Sequence, residues 1–154
     1  MFILLTIKCL IFLINVNCIV TIFRLLFWSD WEDGDPRIEQ ALMDGSNRTR
    51  IKTSGLKYPN GLAIDFSGQR LYWCDGGTDE IGSMSFKGDA QQILFRSPHP
   101  FAVSVFKDAV YWSDWTKKAI FKAPLNGKKL VLKQDKEVHY GVRVYAEENQ
   151  LGNS

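Results

Sequence analysis

Short runs in which every second residue is apolar recur along this chain, separated by turns built from Gly, Asp, Asn and Pro. Leu62, Ile64 and Phe66 alternate with Ala63 and Asp65, and Phe101, Val103 and Val105 repeat the pattern. A period of two puts successive side chains on opposite faces of a pleated strand, so these runs are predicted as β-strands. The Ser67-Gly68-Gln69 and Lys107-Asp108 turns lead each of them into a second, antiparallel strand. Third strands are expected at Ile38 to Met43, Ile81 to Phe86 and Ala119 to Leu125. Fourth strands are expected at Thr49 to Thr53, Gln91 to Phe95 and Lys129 to Lys133, more polar as suits an outer edge. Asp44-Gly45, Lys87-Gly88 and Asn126-Gly127 lie between third and fourth strands, as hairpin dipeptides that tolerate positive φ.

The second strands share one tetrapeptide, aromatic-Trp-x-Asp, at Phe27-Trp28-Ser29-Asp30, Tyr72-Trp73-Cys74-Asp75 and Tyr111-Trp112-Ser113-Asp114. The tryptophans are 45 and 39 residues apart, the length of a four-stranded propeller blade and longer than a leucine-rich, ankyrin or tetratricopeptide unit. Aligned on Trp73 and Trp112, the second and third copies run without a gap from Pro59 and Pro98 to the hairpin dipeptides. The first copy holds two extra residues in the polar loop Glu32-Asp33-Gly34-Asp35-Pro36. Four strands per unit mean blades, and the chain is predicted all-β.

These residues resemble the YWTD, or class B, repeats of the low-density lipoprotein receptor and its related receptors. The likeness is carried by Pro-Asn-Gly-Leu-Ala-Ile-Asp at 59–65, Arg-Leu-Tyr-Trp-Cys-Asp at 70–75, His-Pro-Phe-Ala-Val at 99–103 and Val-Tyr-Trp-Ser-Asp-Trp at 110–115. It covers about residues 25–145. The resemblance implies a six-bladed, noncatalytic propeller beside EGF-like modules in a large endocytic or Wnt-type signalling receptor, on the extracellular side of the plasma membrane or in endosomes. Its implied partners are protein ligands and those adjacent modules, with the membrane reached through the parent protein or through residues 1–23. No cofactor or metal is implied.

Six blades at roughly 42 residues each need about 250 residues, so this chain is expected to hold about three, the C-terminal half of a propeller. The expected units are 24–57, 58–97 and 98–137, then a terminal inner strand at 138–146 and a tail at 147–154. Residues 1–23 are mostly Phe, Ile and Leu, with no Gly, Pro, Ala, Asp or Glu, and do not read as blade. They are read in three ways: a signal peptide or anchor, a mispredicted start joined near Arg24, or a surrogate inner strand for the first blade at Cys18 to Thr21. The net charge of +2 gives no support to nucleic-acid binding.

Cys9, Cys18 and Cys74 do not form a disulfide framework, and Cys74 is expected to pack as a small buried residue. Asn47-Arg48-Thr49 is an N-glycosylation sequon just after a turn. Phe27, Trp28, Asp30, Tyr72, Trp73, Asp75, Tyr111, Trp112 and Asp114 are expected to build the fold, the rings by packing and the Asp by bonding backbone groups where blades meet. Equivalent carboxylates in rotated blades point to separate places, so they do not converge on one metal or acid site. Trp31 and Trp115 follow the tetrapeptide into a loop and, with Asp33 and Asp35, are the candidates for binding a protein ligand. The alternative for each Trp is to cover the next blade. The resemblance places His99 where a related receptor histidine is thought to aid ligand release in acidic endosomes, a range across which imidazole charges. Three alternatives stand beside the receptor reading: a nidogen-like matrix propeller that would bind laminin, a truncated product with no function of its own, and a calcium-dependent propeller hydrolase.

Overall fold

The computed structural model describes residues 18–22, 24–31 and 34–144. Asp33, the leader readings of residues 1–17, and the tail from Tyr145 onward lie outside the described residues. Twelve strands are described, in three four-stranded antiparallel sheets ordered strictly by sequence. Blade 1 comprises β1 (Cys18–Ile22), β2 (Leu25–Asp30), β3 (Arg37–Leu42) and β4 (Thr49–Lys52). Blade 2 comprises β5 (Pro59–Asp65), β6 (Arg70–Asp75), β7 (Glu80–Ser85) and β8 (Gln92–Arg96). Blade 3 comprises β9 (Pro100–Phe106), β10 (Ala109–Asp114), β11 (Ala119–Pro124) and β12 (Leu130–Gln134). Within ordinary boundary variation, the predicted second, third and fourth strands are all present.

The tetrapeptides lie on β2, β6 and β10, and the period of two sorts their side chains between neighbouring blades. Trp73 faces blade 1, sharing a core with Phe27, Ile38 and Ile51, while Tyr72 and Cys74 face blade 3, beside Val110, Trp112 and Phe121. The blade 2 tetrapeptide thus turns its Trp toward the preceding blade and its first and third residues toward the following one, and Trp112 and Phe27 likewise face blade 2 from either side. Trp28, Trp73, Trp112 and Cys74 are each no more than 1% exposed, as expected for packing surfaces. Gly82 sits under the Trp73 indole, which a Cβ at that position would overlap.

The Asp75 and Asp114 side chains close the junctions between blades. Asp75 accepts hydrogen bonds from the backbone N–H groups of Lys57 (2.7 Å) and Tyr58 (3.0 Å) in the inter-blade linker. It also accepts from Gly77 (2.8 Å) and Thr78 (3.0 Å) in the turn that follows its own strand. Asp114 accepts from the Ser97 hydroxyl (2.5 Å) and the Lys117 N–H (2.7 Å), and Ser97 Oγ in turn receives the Trp112 indole N–H at 2.9 Å. Asp30 instead takes a guanidinium N–H from Arg37 at 2.5 Å.

Three expectations are corrected by the geometry. Leu62 pairs with Trp73 and Val103 with Trp112, so Pro59 matches Pro100 rather than Pro98. The gapless alignment fails there because the β9–β10 turn is the two residues Lys107-Asp108, whereas β5–β6 uses four. Gly45 (φ 84°) and Gly88 (φ 87°) hold left-handed turns, but Gly127 does not, so the third hairpin uses a different turn. The segment 138–144 is irregular rather than an inner strand. By contrast, Cys18–Ile22 pairs with β2 from Cys18–Ser29 to Ile22–Leu25, in keeping with the surrogate inner strand read at Cys18 to Thr21.

The buried indole and the four-bonded carboxylate set the cost of losing either. Trp73→Ala is expected to destabilise by about 3–5 kcal/mol, and Asp75→Ala by about 2–3 kcal/mol through its orphaned N–H groups, in equilibrium denaturation. Asp75→Ala within 0.5 kcal/mol of wild type would contradict the junction role.

Candidate functional site

Strands β2, β6 and β10 end at the same edge of their blades, where β5 and β9 begin; this edge is here called the top. The residue after each tetrapeptide meets the head of an inner strand there, the following blade's for Trp31 and its own blade's for Trp115. Trp31 makes an edge contact with Tyr58 (ring centroids 5.3 Å, 73°), and the two rings are 39% and 38% exposed. In blade 2 the corresponding residue is Gly76, where a Cβ would crowd Asn60 and the His99 ring. Trp115 stacks on Phe101 (4.1 Å, 18°) and on His99 (5.4 Å, 19°), and Tyr140 stands edge-on to both Trp115 and Phe101. The Trp115 indole N–H is used by the His139 carbonyl at 3.2 Å, so this side chain presents only its π surface. Tyr140 is 67% exposed. Each tryptophan therefore covers the next element, yet both sit in aromatic groups open to solvent at the top.

The two candidate groups differ in charge. Asp35 lies beside Trp31's loop but is paired with Arg50 (3.0 Å) and Arg37 (3.5 Å). Arg37 also reaches Asp30 and the buried Glu39, whose carboxylate Arg48 holds in a two-pronged pair at 2.6 and 3.1 Å. Burial pushes the Glu39 carboxyl up, but the Arg48 and Arg37 guanidiniums outweigh it and hold the group below its ordinary 4.5. This network was not foreseen from the sequence, because Glu in a half-exposed strand reads as solvated. Nor was Lys52, which is buried over the Trp73 ring and joins blade 1 to Gln91 of blade 2 at 3.0 Å; burial lowers its pKa.

His99 is held with φ 53°, its N–H donated to Asp79 Oδ1 at 2.9 Å and its carbonyl accepting from Trp115 N–H at 3.1 Å. Asn47 is exposed with φ 56° at the β3–β4 turn, the opposite edge from Trp31. A groove of about 860 Å³ runs beside the inner strands, lined by β5, β9, Thr21 and residues 140–143. Its lining includes no Asp, Glu, His or Cys, and among the described residues no three of these come together as a metal site.

The low-density lipoprotein receptor repeat class B family matches residues 24–66, from the head of β2 past the end of β5. The chain is built from class B repeats. The sortilin-related receptor of Mus musculus is 39% identical over 60% of the chain, and the Drosophila melanogaster vitellogenin receptor Yl is 33% identical over 79%. The chain spans only 4% and 6% of those receptors' lengths. Among solved structures, the nidogen propeller of a nidogen/laminin complex superimposes with a TM-score of 0.71 at 30% identity. That match covers 77% of this chain and 46% of that one, so these class B blades are a partial propeller. A Xanthomonas campestris gluconolactonase matches with a TM-score of 0.69 over 83% of this chain and 50% of its own, but at 17% identity it shares the fold alone.

The sign of the Glu39 shift gives a pH test. Because the folded pKa lies below the unfolded one, this carboxylate's stabilisation is fully present above about pH 4.5 and is lost as pH falls through the folded value. Glu39→Gln should therefore destabilise the class B repeat chain at pH 7, with the gap to wild type narrowing toward pH 3 in urea titrations. A gap that stays constant across that range would refute the assignment.

Proposed function

We propose that this chain is a noncatalytic, extracellular binding module of a lipoprotein-receptor-related receptor, and that its top edge receives protein ligands. The observation that carries the reading is the repeated placement of an open aromatic group just beyond the tetrapeptide, at Trp31–Tyr58 and at Trp115–Phe101–Tyr140. Rigid rings half open to solvent bring large contact area at little entropic cost, which is why Trp and Tyr dominate binding hot spots. The tetrapeptide residues are spent on packing and junction bonds, so the residues after them are left for recognition. Asp33 and Asp35, which follow Trp31 in the sequence, belong to this reading. Asp35 contributes through its arginine pairs instead of as a free acid.

The likeness to receptors supports extracellular placement, and the exposed Asn47 sequon supports passage through the secretory route. A glycan at Asn47 would project from the edge opposite Trp31 and leave the top open. The nidogen match supports a related alternative in which the same face serves a matrix assembly. In the endocytic form of the proposal His99, stacked on Trp115, senses acidification.

Binding of purified extracellular ligand domains of receptors in this family by surface plasmon resonance tests the reading. Trp31→Ala with Trp115→Ala should weaken capture by at least about tenfold, the loss of one or two hot-spot anchors, while Phe66→Ala, exposed at the opposite edge, leaves it unchanged. Equal capture by the double variant would exclude this face. Replacing His99 with Gln should make ligand release insensitive to acidification, and release unchanged from wild type would remove the sensor.

A further inference from the structure

Charge is spread unevenly among blades that are otherwise equivalent. Residues 24–57 carry six Lys and Arg against six Asp and Glu, and 58–97 carry three against five, but 98–144 carry nine against four. Lysines gather at the top of blade 3. Lys117 and Lys118 occupy the β10–β11 turn beside Trp115, and Lys133 and Lys136 bracket the end of β12. The turn and the strand end are tied together, since Lys118 Nζ donates to the Lys136 carbonyl at 2.8 Å and Gln134 Nε2 to the Lys117 carbonyl at 3.3 Å. All four lysines are exposed.

The acidic groups facing this surface are few and largely committed. Asp135 pairs with Lys133 (2.8 Å) and His139 (3.0 Å), Asp79 holds the His99 N–H, and Asp114 is buried in its junction. Glu137 is the exposed acid beside them. Lys117 and Lys136 thus direct their charge outward, next to an aromatic surface whose outermost ring, Tyr140, is two-thirds open.

We propose that the top of blade 3 docks an acidic protein segment bearing apolar side chains, with Lys117, Lys118 and Lys136 meeting its carboxylates and Trp115 and Tyr140 its apolar groups. The inference rests on the binding-face reading above and specifies the partner's chemistry there. Cationic side chains around an aromatic platform complement a carboxylate-rich peptide with hydrophobic anchors. A sulfated polysaccharide would use the lysines and leave the rings idle, so the rings favour a peptide.

The test measures fluorescence anisotropy of a labelled dodecapeptide rich in Glu and Asp with interspersed Leu and Phe, on the full chain. The charge-reversed peptide and a heparin oligosaccharide serve as comparisons. The triple variant Lys117→Gln, Lys118→Gln, Lys136→Gln should weaken peptide binding roughly tenfold, as three partly screened ion pairs would, and the affinity should fall with salt. Tyr140→Ala should weaken it independently, and Lys128→Gln, at the opposite edge, should not change it. The thermal transition of each variant checks that it folds, and a charge-swap rescue with the reversed peptide and Lys→Glu variants covers any that is destabilised.

Equal binding of the reversed peptide to wild type, or full peptide affinity in the triple variant, overturns the proposal. So does heparin binding that outcompetes the peptide and is indifferent to Tyr140. If ligand-domain capture depends on Trp31 and Trp115 while the lysines are without effect, this inference falls and the binding-face reading stands. If the lysines bind peptide while the tryptophans are dispensable for capture, the aromatic face is refuted instead.

Discussion

A buried carboxylate that gathers backbone N–H groups from two blades is the constraint on which the arrangement depends. Asp75 satisfies four such donors, two from the linker leaving blade 1 and two from the turn leaving β6. Without it, the polypeptide crossing between blades would bury donors with no acceptor, at a cost comparable to a good part of a domain's net stability. The strand period places Trp73 on the same face as Asp75. One tetrapeptide thus supplies both the apolar surface that holds blade 2 against blade 1 and the polar bonds that fix where the linker runs. The two junctions solve the same problem differently. Asp114 works through Ser97, which also quiets the Trp112 indole, whereas Asp30 bonds Arg37 of its own blade.

That division of labour explains where function can reside. The Trp and Asp of the tetrapeptide are committed, and the residues just beyond it, at the blade tops, vary more widely in kind. Position 31 carries Trp, position 76 Gly and position 115 Trp, and the Gly is accompanied by His99 and Asn60 crowding the vacated space. The fold therefore holds these residues against rigid strand ends, a setting that limits the entropy lost on binding.

The strands of blades 2 and 3 were legible because alternation, Gly-bearing turns and the tetrapeptide agree on one register. The inner strand of blade 1 was legible only as one of three readings, because Cys18–Ile22 belongs to a continuous apolar run with no period of two. The Pro59–Pro100 match was hidden by a shorter turn compensated by a longer linker, which leaves the overall repeat length unchanged. Segment 138–144 has the composition of an inner strand but is irregular, because pairing depends on a neighbour that composition does not reveal. At the top edge, Trp31 and Trp115 were visible as residues beyond the motif. Their partners Tyr58, Phe101 and Tyr140 were not, since those contacts join separate blades or segments. Glu39 and Lys52 went unseen because burial of a charged side chain is decided by arginines, glutamine and rings brought in from other strands.

The most direct measurement is native-state hydrogen exchange at the amides of Lys57, Tyr58, Gly77 and Thr78. If Asp75 joins linker and turn into the cooperative unit, all four should exchange only with the global opening that also releases the β6 amides. Fast, independent exchange at these positions, with β6 still protected, would show that the blades hold together without the carboxylate and would contradict the account.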